Sequence, residues 1–310
     1  MSSLGMAQAR SGVTVQHQNL RESIYFAPRG KERLIRLGNY LAQRYLDPDD
    51  RLIGFIGSSG MGKSLLIRGM FPGLELTNDD ENVNIRPLPL VRDIRTGSFR
   101  SHTYHVDVCF EMAFVPLSEL ASSVREAVLS RRRVVVEHFE TLAPLLPMNA
   151  ELLVGIGEEV VVTRPTLFGP RAAEIASRVF ASSHYRKMVH TAEDLTTLVL
   201  LDLNQPMPDW HSDLPHGFVL EYKSELTVDL TQVEQQVKQL IRANLPVTYF
   251  DQGHIKIADR LIPCTGPRIH LSRTGDIQGF SLLPQLRFDP LTKHYLLVGT
   301  VGNVPIESEV

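Results

Sequence analysis

Short apolar runs alternate with stretches of helical spacing in the first half of the chain. Three such runs, residues 51–56, 103–110 and 133–138, predict buried strands. Residues 29–46 and 116–132 carry apolar side chains three and four positions apart, which is typical of amphipathic helices. Strands that alternate with helices predict an α/β fold with a parallel sheet, whose site lies at the carboxyl ends of the strands.

Less regular segments lie between these elements. Residues 86–90 contain two prolines and are predicted to be extended, because proline disfavours helix at the residue before it. Residues 94–101 are predicted to form an exposed loop, either a plain connector or a segment that closes over bound phosphate. Residues 151–154 and 159–162 flank a glycine-containing turn and predict a hairpin.

The second half has a different rhythm and predicts an α+β domain. Helices are predicted at residues 172–182, 184–201 and 230–245, and strands at 218–222, 247–250, 254–258, 279–283 and 295–301. A proline-rich loop is predicted at residues 204–215, around the only tryptophan, Trp210.

Proline and glycine near residue 165 mark the expected domain boundary. We therefore predict a first domain at residues 23–165 and a second domain at 166–302. Residues 1–22 are expected to be a mobile N-terminal segment and residues 303–310 a frayed C-terminal tail.

Composition narrows the classes of protein that the chain can represent. The chain has 310 residues, 43% of them hydrophobic, and a net charge of -3, so no global basic surface for nucleic acid is expected. The two cysteines do not form a disulfide framework, which favours a reducing cytosol. No signal peptide is expected in the polar first 18 residues. No apolar run approaches the roughly 18 residues of a membrane span, so we expect a cytoplasmic protein without a membrane partner.

One stretch carries a specific chemical signal. Residues 57–64, with the sequence GSSGMGKS, fit the phosphate-binding pattern G-x-x-x-x-G-K-[ST] at every fixed position. A predicted strand precedes it and a predicted helix follows, which is the context that the pattern requires. We call residues 57–64 the glycine loop. The expected nucleotide-binding residues are Gly57, Ser58, Ser59, Gly60, Met61, Gly62, Lys63, Ser64 and Leu65.

The chemistry of the glycine loop follows from its residue types. Glycines allow the backbone to curl so that N–H groups point at an anion, and the helix N-terminus adds its positive dipole end. Lys63 is expected to neutralise the β- and γ-phosphates of ATP, and the Ser64 hydroxyl to hold Mg²⁺. The alternative is a glycine-rich turn that binds nothing.

Two acidic residues end predicted strands. Asp107 and Glu137 both lie where the carboxyl ends of parallel strands are expected to meet. Each is a candidate to hold Mg²⁺, directly or through water, or to orient an attacking water. The alternative for each is a helix cap or a partner for a surface arginine.

The first half resembles the small bacterial P-loop ATPase that assists threonylcarbamoyl-adenosine modification of tRNA, the TsaE-type fold. The glycine loop, the residues His105-Val106-Asp107 and a strand that ends in Glu137 carry this resemblance. That family follows the last glutamate with tryptophan, whereas this chain has His138.

The second half resembles the second additional domain of alanyl- and threonyl-tRNA synthetases, which also occurs in free-standing alanyl-tRNA editing proteins. Two segments carry this resemblance: HTAEDL at residues 190–195, and CTGPRIH at 264–270 followed by TGDI at 274–277. The family patterns are H-T-x-x-H-L, and C-x-G-x-H with T-G-[DE]-I shortly after. The resemblance covers about 120 residues and implies recognition of tRNA or an aminoacyl group.

In the editing family, two histidines of the first segment and the cysteine and histidine of the second hold zinc. The corresponding set here is His190, Asp194, Cys264 and His270, with aspartate in place of the second histidine. His190 and Asp194 share one helix face, so a Zn²⁺ site stays possible. The alternatives are a domain that kept its fold without the metal, or an Arg268–His270 pair that binds a phosphate or carboxylate.

These features leave three functional hypotheses. The first is a Mg²⁺-dependent ATPase or phosphotransferase, with Lys63, Glu137 and Asp107 as catalytic residues and a second domain that recognises tRNA or an amino-acid-like acceptor. The second is an aminoacyl-tRNA editing hydrolase with a regulatory nucleotide site. The third is a binding protein that nucleotide switches between two states.

Overall fold

A computed structural model describes residues 22–78 and 88–302. The chain divides into two compact units. The first comprises Met1–Tyr25 and Glu32–Phe180, and the second comprises Phe26–Lys31 and Ala181–Val310. The predicted mobile segment up to residue 21 and the predicted tail from residue 303 lie outside the described residues.

The first unit is built on a mixed but mostly parallel sheet. Its elements in chain order are β1 (Ser23–Phe26), α1 (Lys31–Tyr45), β2 (Leu52–Ile56), α2 (Lys63–Met70), α3 (Pro89–Thr96), β3 (Thr103–Asp107), α4 (Val108–Glu111), α5 (Leu117–Leu129), β4 (Arg133–Glu137), α6 (Phe139–Leu142), a 3₁₀ turn (Ala143–Leu145), β5 (Leu152–Ile156) and β6 (Glu159–Thr163). The six strands have the order β1-β6-β5-β2-β4-β3.

The central strand β2 positions the candidate site. It runs parallel to β4 on one side and to β5 on the other, and β3 runs parallel to β4. Every residue of β2 is buried, as expected for a strand covered on both faces. The predicted α/β class with a parallel sheet is therefore confirmed at this level, and the predicted hairpin is the antiparallel pair β5–β6.

Two predicted segments of the first unit were wrong. Residues 86–90 were expected to be extended; Arg86 and Pro87 lie outside the described residues, and Pro89 and Leu90 begin helix α3. The same helix takes in residues 94–96 of the predicted loop 94–101. Proline is accepted at the first helical position because its missing N–H has no partner there in any case. Residues 108–110 were assigned to strand β3, but they form α4, because the side chain of Asp107 caps that helix.

Helices α1 and α2 approach each other through two glycines. A Cβ on Gly38 would lie 2.3 Å from the backbone oxygen of Leu66, and one on Gly69 would lie 2.1 Å from that of Ile35. Only hydrogen fits at these positions, so the pair fixes how closely the helix after the glycine loop packs on α1.

The second unit combines two antiparallel sheets with two helices. Its elements are α7 (Ala172–Asp202, whose first turns belong to the first unit), β7 (Trp210–Leu214), β8 (Gly217–Tyr222), α8 (Leu230–Arg242), β9 (Val247–Asp251), β10 (His254–Ile257), β11 (Arg260–Pro263), a 3₁₀ turn (Thr274–Asp276), β12 (Ser281–Leu282), β13 (Arg287–Asp289) and β14 (His294–Thr300). One sheet has the order β11-β10-β9; the other has β12-β14-β8-β7, with β13 also paired to β14.

The division between the units lies later than the predicted boundary at residue 165. The first turns of α7 bury Ala172, Ile175 and Val179 in the core of the first unit. The sequence does not indicate which of the two hydrophobic cores these apolar side chains join. The two helices predicted at 172–182 and 184–201 are also a single helix, α7.

The proline-rich loop predicted at residues 204–215 contains strand β7. This strand lies at the edge of its sheet and alternates between exposed and half-buried residues, so it lacks an apolar run. Strands β11 and β13 were missed for a similar reason, since each has mostly exposed side chains.

Within residues 22–78 and 88–302, no helix combines the length and the apolar character needed to cross a membrane.

Candidate functional site

The glycine loop connects β2 to α2 through backbone conformations that favour glycine. The φ angles of Gly57, Gly60 and Gly62 are 149°, 80° and 98°. A Cβ on Gly57 would also lie 2.5 Å from the backbone oxygen of Ile156. The loop conformation therefore requires glycine at these positions, and it leads directly into the first turn of α2 at Lys63.

Lys63 is folded back over the loop. Its Nζ donates to the backbone oxygens of Gly57 and Ser58, both at 3.0 Å. The same Nζ lies 4.0 Å from Oε2 of Glu137, and both side chains are almost fully buried. The ammonium group of Lys63 therefore lies between two carbonyl oxygens of the loop and the carboxylate of Glu137.

Glu137 belongs to a buried chain of hydrogen bonds. The backbone N–H of Thr77 donates to Nδ1 of His105 at 3.0 Å, which leaves the proton of the ring on Nε2. Nε2 then donates to Oε1 of Glu137 at 3.2 Å. Burial by itself raises the pKa of Glu137, but His105, Lys63 and the Ser64 hydroxyl together bring that pKa below its ordinary value. Glu137 is therefore ionised at neutral pH and next to Ser64.

Asp107 lies beside Glu137 but makes different contacts. The two residues are Cα partners in the parallel pair β3–β4. Oδ1 of Asp107 accepts from the N–H of Phe110 at 3.1 Å and so caps α4, and Oδ2 accepts from Asn78 at 3.2 Å. Asp107 thus caps a helix, which was the alternative to a metal-binding role. Glu137 is the acidic residue next to Lys63.

Two residues next to these strand ends were missed by the sequence analysis. Cys109 and His138 lie with Asp107 so that one ligand atom from each is within 4.8 Å of the others. We call these three residues the strand-end cluster. Each missed residue follows an acidic strand end by one or two positions, and that shared edge is the signal that could have revealed them.

A buried glutamate lies on the same short helix as Cys109. Glu111 is fully buried, and its carboxylate lies near Thr77 without a hydrogen bond of normal geometry. Burial raises its pKa to about 8, which Thr77 offsets only in part. No pattern in the sequence distinguishes this residue from a surface glutamate.

In the second unit, three of the four predicted zinc ligands meet around an unpredicted arginine. Asp194, Cys264 and His270 each offer a ligand atom within 4.8 Å of the others. Nη2 of Arg29 donates to Oδ1 of Asp194 at 2.5 Å and to Sγ of Cys264 at 3.0 Å. Nη1 lies 2.6 Å from Oε2 of Glu193. We call Arg29, Glu193, Asp194, Cys264 and His270 the arginine cluster.

In the arginine cluster, the positive charge of Arg29 is paired with the buried carboxylates of Glu193 and Asp194. Burial by itself raises the pKa of Asp194, but the Arg29 charge and the hydrogen bond from His270 lower it to about 2. Burial raises the pKa of the Cys264 thiol to about 11, so this thiol is protonated at neutral pH. Burial, Arg29 and Arg186 hold the pKa of His190 well below its ordinary range.

This arrangement does not fit the zinc ion that the family resemblance implies. A guanidinium already contacts two of the three converging ligands, and it supplies the positive charge that a metal would bring. His190 is not part of the converging set; its ring centre lies 6.4 Å from that of His270. Arg268, proposed as an anion ligand together with His270, is placed over the ring of Tyr249 at 4.9 Å, while His270 contacts Asp194.

Comparisons with known proteins add no functional assignment. No protein-family model matches the chain, and no curated protein matches it. Among solved structures, acetylornithine aminotransferase from Elizabethkingia anophelis aligns with 84% of this chain and 73% of its own, at 9% identity and a TM-score of 0.21. A similarity this low carries no argument about fold or function.

Proposed function

We propose that the chain binds ATP with Mg²⁺ at the glycine loop and transfers or hydrolyses the γ-phosphate. The carrying observation is the loop itself: three glycines with positive φ join a buried parallel strand to a helix that begins at Lys63. Such a loop presents N–H groups and a helix N-terminus to an anion, and Lys63 adds a full charge.

Each residue has a distinct role in this proposal. Lys63 exchanges its contacts with two backbone oxygens for the β- and γ-phosphate oxygens. Ser64 and an acidic strand end hold Mg²⁺. Of the two acidic candidates, Glu137 is supported better, because it is ionised and lies beside Lys63 and Ser64. Glu137 also orients the attacking water or acceptor hydroxyl.

The second unit is proposed to recognise the acceptor, a tRNA or an amino-acid-like group. This part rests on the family resemblance alone. The editing hydrolase is not favoured, because Arg29 contacts two of the residues that would have to bind its metal. A nucleotide-switched binding protein uses the same loop and differs only in the rate of turnover.

Calorimetric titration with ATP and Mg²⁺ tests the loop. Lys63→Ala is expected to weaken binding by about 10- to 150-fold, the equivalent of about 1.5–3 kcal/mol for charged hydrogen bonds. Lys223→Ala removes an exposed lysine of the second unit and serves as the matched control. Equal affinity in the wild type and Lys63→Ala, or no binding to the wild type, contradicts the proposal.

Turnover separates an enzyme from a switch. Glu137→Gln is expected to keep most of the ATP affinity and to lose phosphate release, since the amide cannot replace the carboxylate at the metal or water. The assay is run with and without tRNA. Wild-type turnover that is absent under both conditions favours the switch over the ATPase.

A further inference from the structure

A set of nitrogen, oxygen and sulfur ligands converges at the edge of the first unit's sheet. The strand-end cluster takes Asp107 from the end of β3, Cys109 from α4 and His138 from the residue after β4. Their ligand atoms all lie within 4.8 Å of one another. Because β3 and β4 are parallel and in register at Asp107 and Glu137, their ends bring these side chains to one place.

The backbone and a neighbouring carboxylate hold these ligands in position. His138 has a left-handed backbone, with a φ of 57°, and is buried. Its Nδ1 lies 3.4 Å from Oε1 of Glu140, so this carboxylate is placed to orient the ring if Nε2 is the nitrogen that binds a metal. Asp107 is buried and fixed by its two hydrogen bonds. Cys109 is exposed, so the cluster is open to solvent.

The local charges favour a cation. Three carboxylates lie at or just after these strand ends, those of Asp107, Glu137 and Glu140, and among the described ion pairs Lys63 is paired with Glu137. The arginine cluster has the same three ligand types, but there Arg29 already contacts two of them. The two clusters therefore differ in whether a protein cation is in place.

We propose that Asp107, Cys109 and His138 form a binding site for a divalent transition-metal ion of the Zn²⁺ class. Imidazole, thiolate and carboxylate together suit such an ion better than Mg²⁺ or Ca²⁺. Three protein ligands and solvent access leave one coordination position for water. The proposal assigns Asp107 to this site and leaves Glu137 with Ser64 for Mg²⁺, and it requires no nucleotide.

Co²⁺ titration of the full chain, without nucleotide, tests the site. Each cysteine belongs to one cluster, so the thiolate-to-cobalt absorption band in the near ultraviolet reports which cluster binds. We expect the band in the wild type and in Cys264→Ser, and its loss in Cys109→Ser. Cys109 is exposed, so its replacement by serine is not expected to disturb folding; the circular dichroism spectrum verifies this.

Two further variants sharpen the result. Glu140→Gln is expected to weaken Co²⁺ binding by about 10- to 100-fold, as is usual for a residue that orients a metal ligand. Lys63→Ala is expected to keep the band, which separates this proposal from the nucleotide site. A wild type without the band, a band that persists in Cys109→Ser, or equal loss in Cys264→Ser overturns the proposal.

Discussion

Replacing Arg29 with methionine removes the guanidinium that contacts Glu193, Asp194 and Cys264, while keeping an unbranched side chain of similar length. Glu193 and Asp194 would then lose the guanidinium that lies 2.5–2.6 Å away and would keep only their contacts with His211 and His270. Breaking a buried ion pair on one side costs about 3–5 kcal/mol. We expect Arg29→Met to lower the free energy of unfolding of the second unit by this amount at pH 7.

Urea unfolding followed by the fluorescence of Trp210 measures this loss. Trp210 is the only tryptophan of the chain and lies in the second unit, on β7. The matched control is Arg260→Met, which removes a two-pronged but exposed pair with Asp202 at 2.6 and 2.7 Å. Exposed pairs contribute about 0–1 kcal/mol. If Arg29→Met loses no more than Arg260→Met, the reasoning is refuted.

Two further measurements test the cause. Adding Asp194→Asn to Arg29→Met is expected to recover part of the loss, because one uncompensated charge is removed. In the wild type, the pKa of Asp194 is about 2, below the ordinary 3.8. The difference corresponds to about 2 kcal/mol, present above pH 4 and lost as the pH falls from 4 to 2. The gap between wild type and Arg29→Met should therefore narrow in this pH window.

The remaining predictions concern the first unit. Gly69→Ala is expected to destabilise it by about 1–3 kcal/mol, because the new Cβ would lie 2.1 Å from the backbone oxygen of Ile35; Gly253→Ala, where the nearest atom is 3.8 Å away, is the control in thermal unfolding by circular dichroism. Equal midpoints for the two would contradict the close helix contact. His105→Ala removes the donor to the buried Glu137 and should cost about 1–3 kcal/mol by the same measurement; an unchanged midpoint would argue against the hydrogen-bond chain.

Local patterns were enough to predict the buried parallel strands of the first unit, but not strand β1 at the edge of the sheet. The buried strands β2 and β4 are mostly apolar runs. The glycines of the loop indicated a tightly curled backbone, which the structure forms with positive φ angles. The same reasoning placed Asp107 and Glu137 at neighbouring strand ends, where the structure has them in register. Edge strand β7 was not predicted, since a strand with one open side need not bury apolar residues.

The contacts of the arginine cluster could not be predicted from local patterns. Arg29 and Asp194 are separated by 165 positions, and the residues around Arg29 give no sign that its side chain is buried. The family resemblance suggested a set of His190, Asp194, Cys264 and His270, and the structure brings the last three of these together. Sequence spacing alone did not indicate which cation they converge on.

Arg29 belongs to a segment of six residues, Phe26–Lys31, which we call the strap, whereas the rest of its unit follows residue 180. A gene fragment that begins at residue 181 therefore encodes an incomplete unit, in which Glu193 and Asp194 keep their histidine partners but lack the guanidinium of Arg29. During synthesis, the strap therefore leaves the ribosome well before Glu193 and Asp194 have been added to the chain. The carboxyl-terminal half alone is thus not a complete unit. Any fusion protein that uses it must also include the strap.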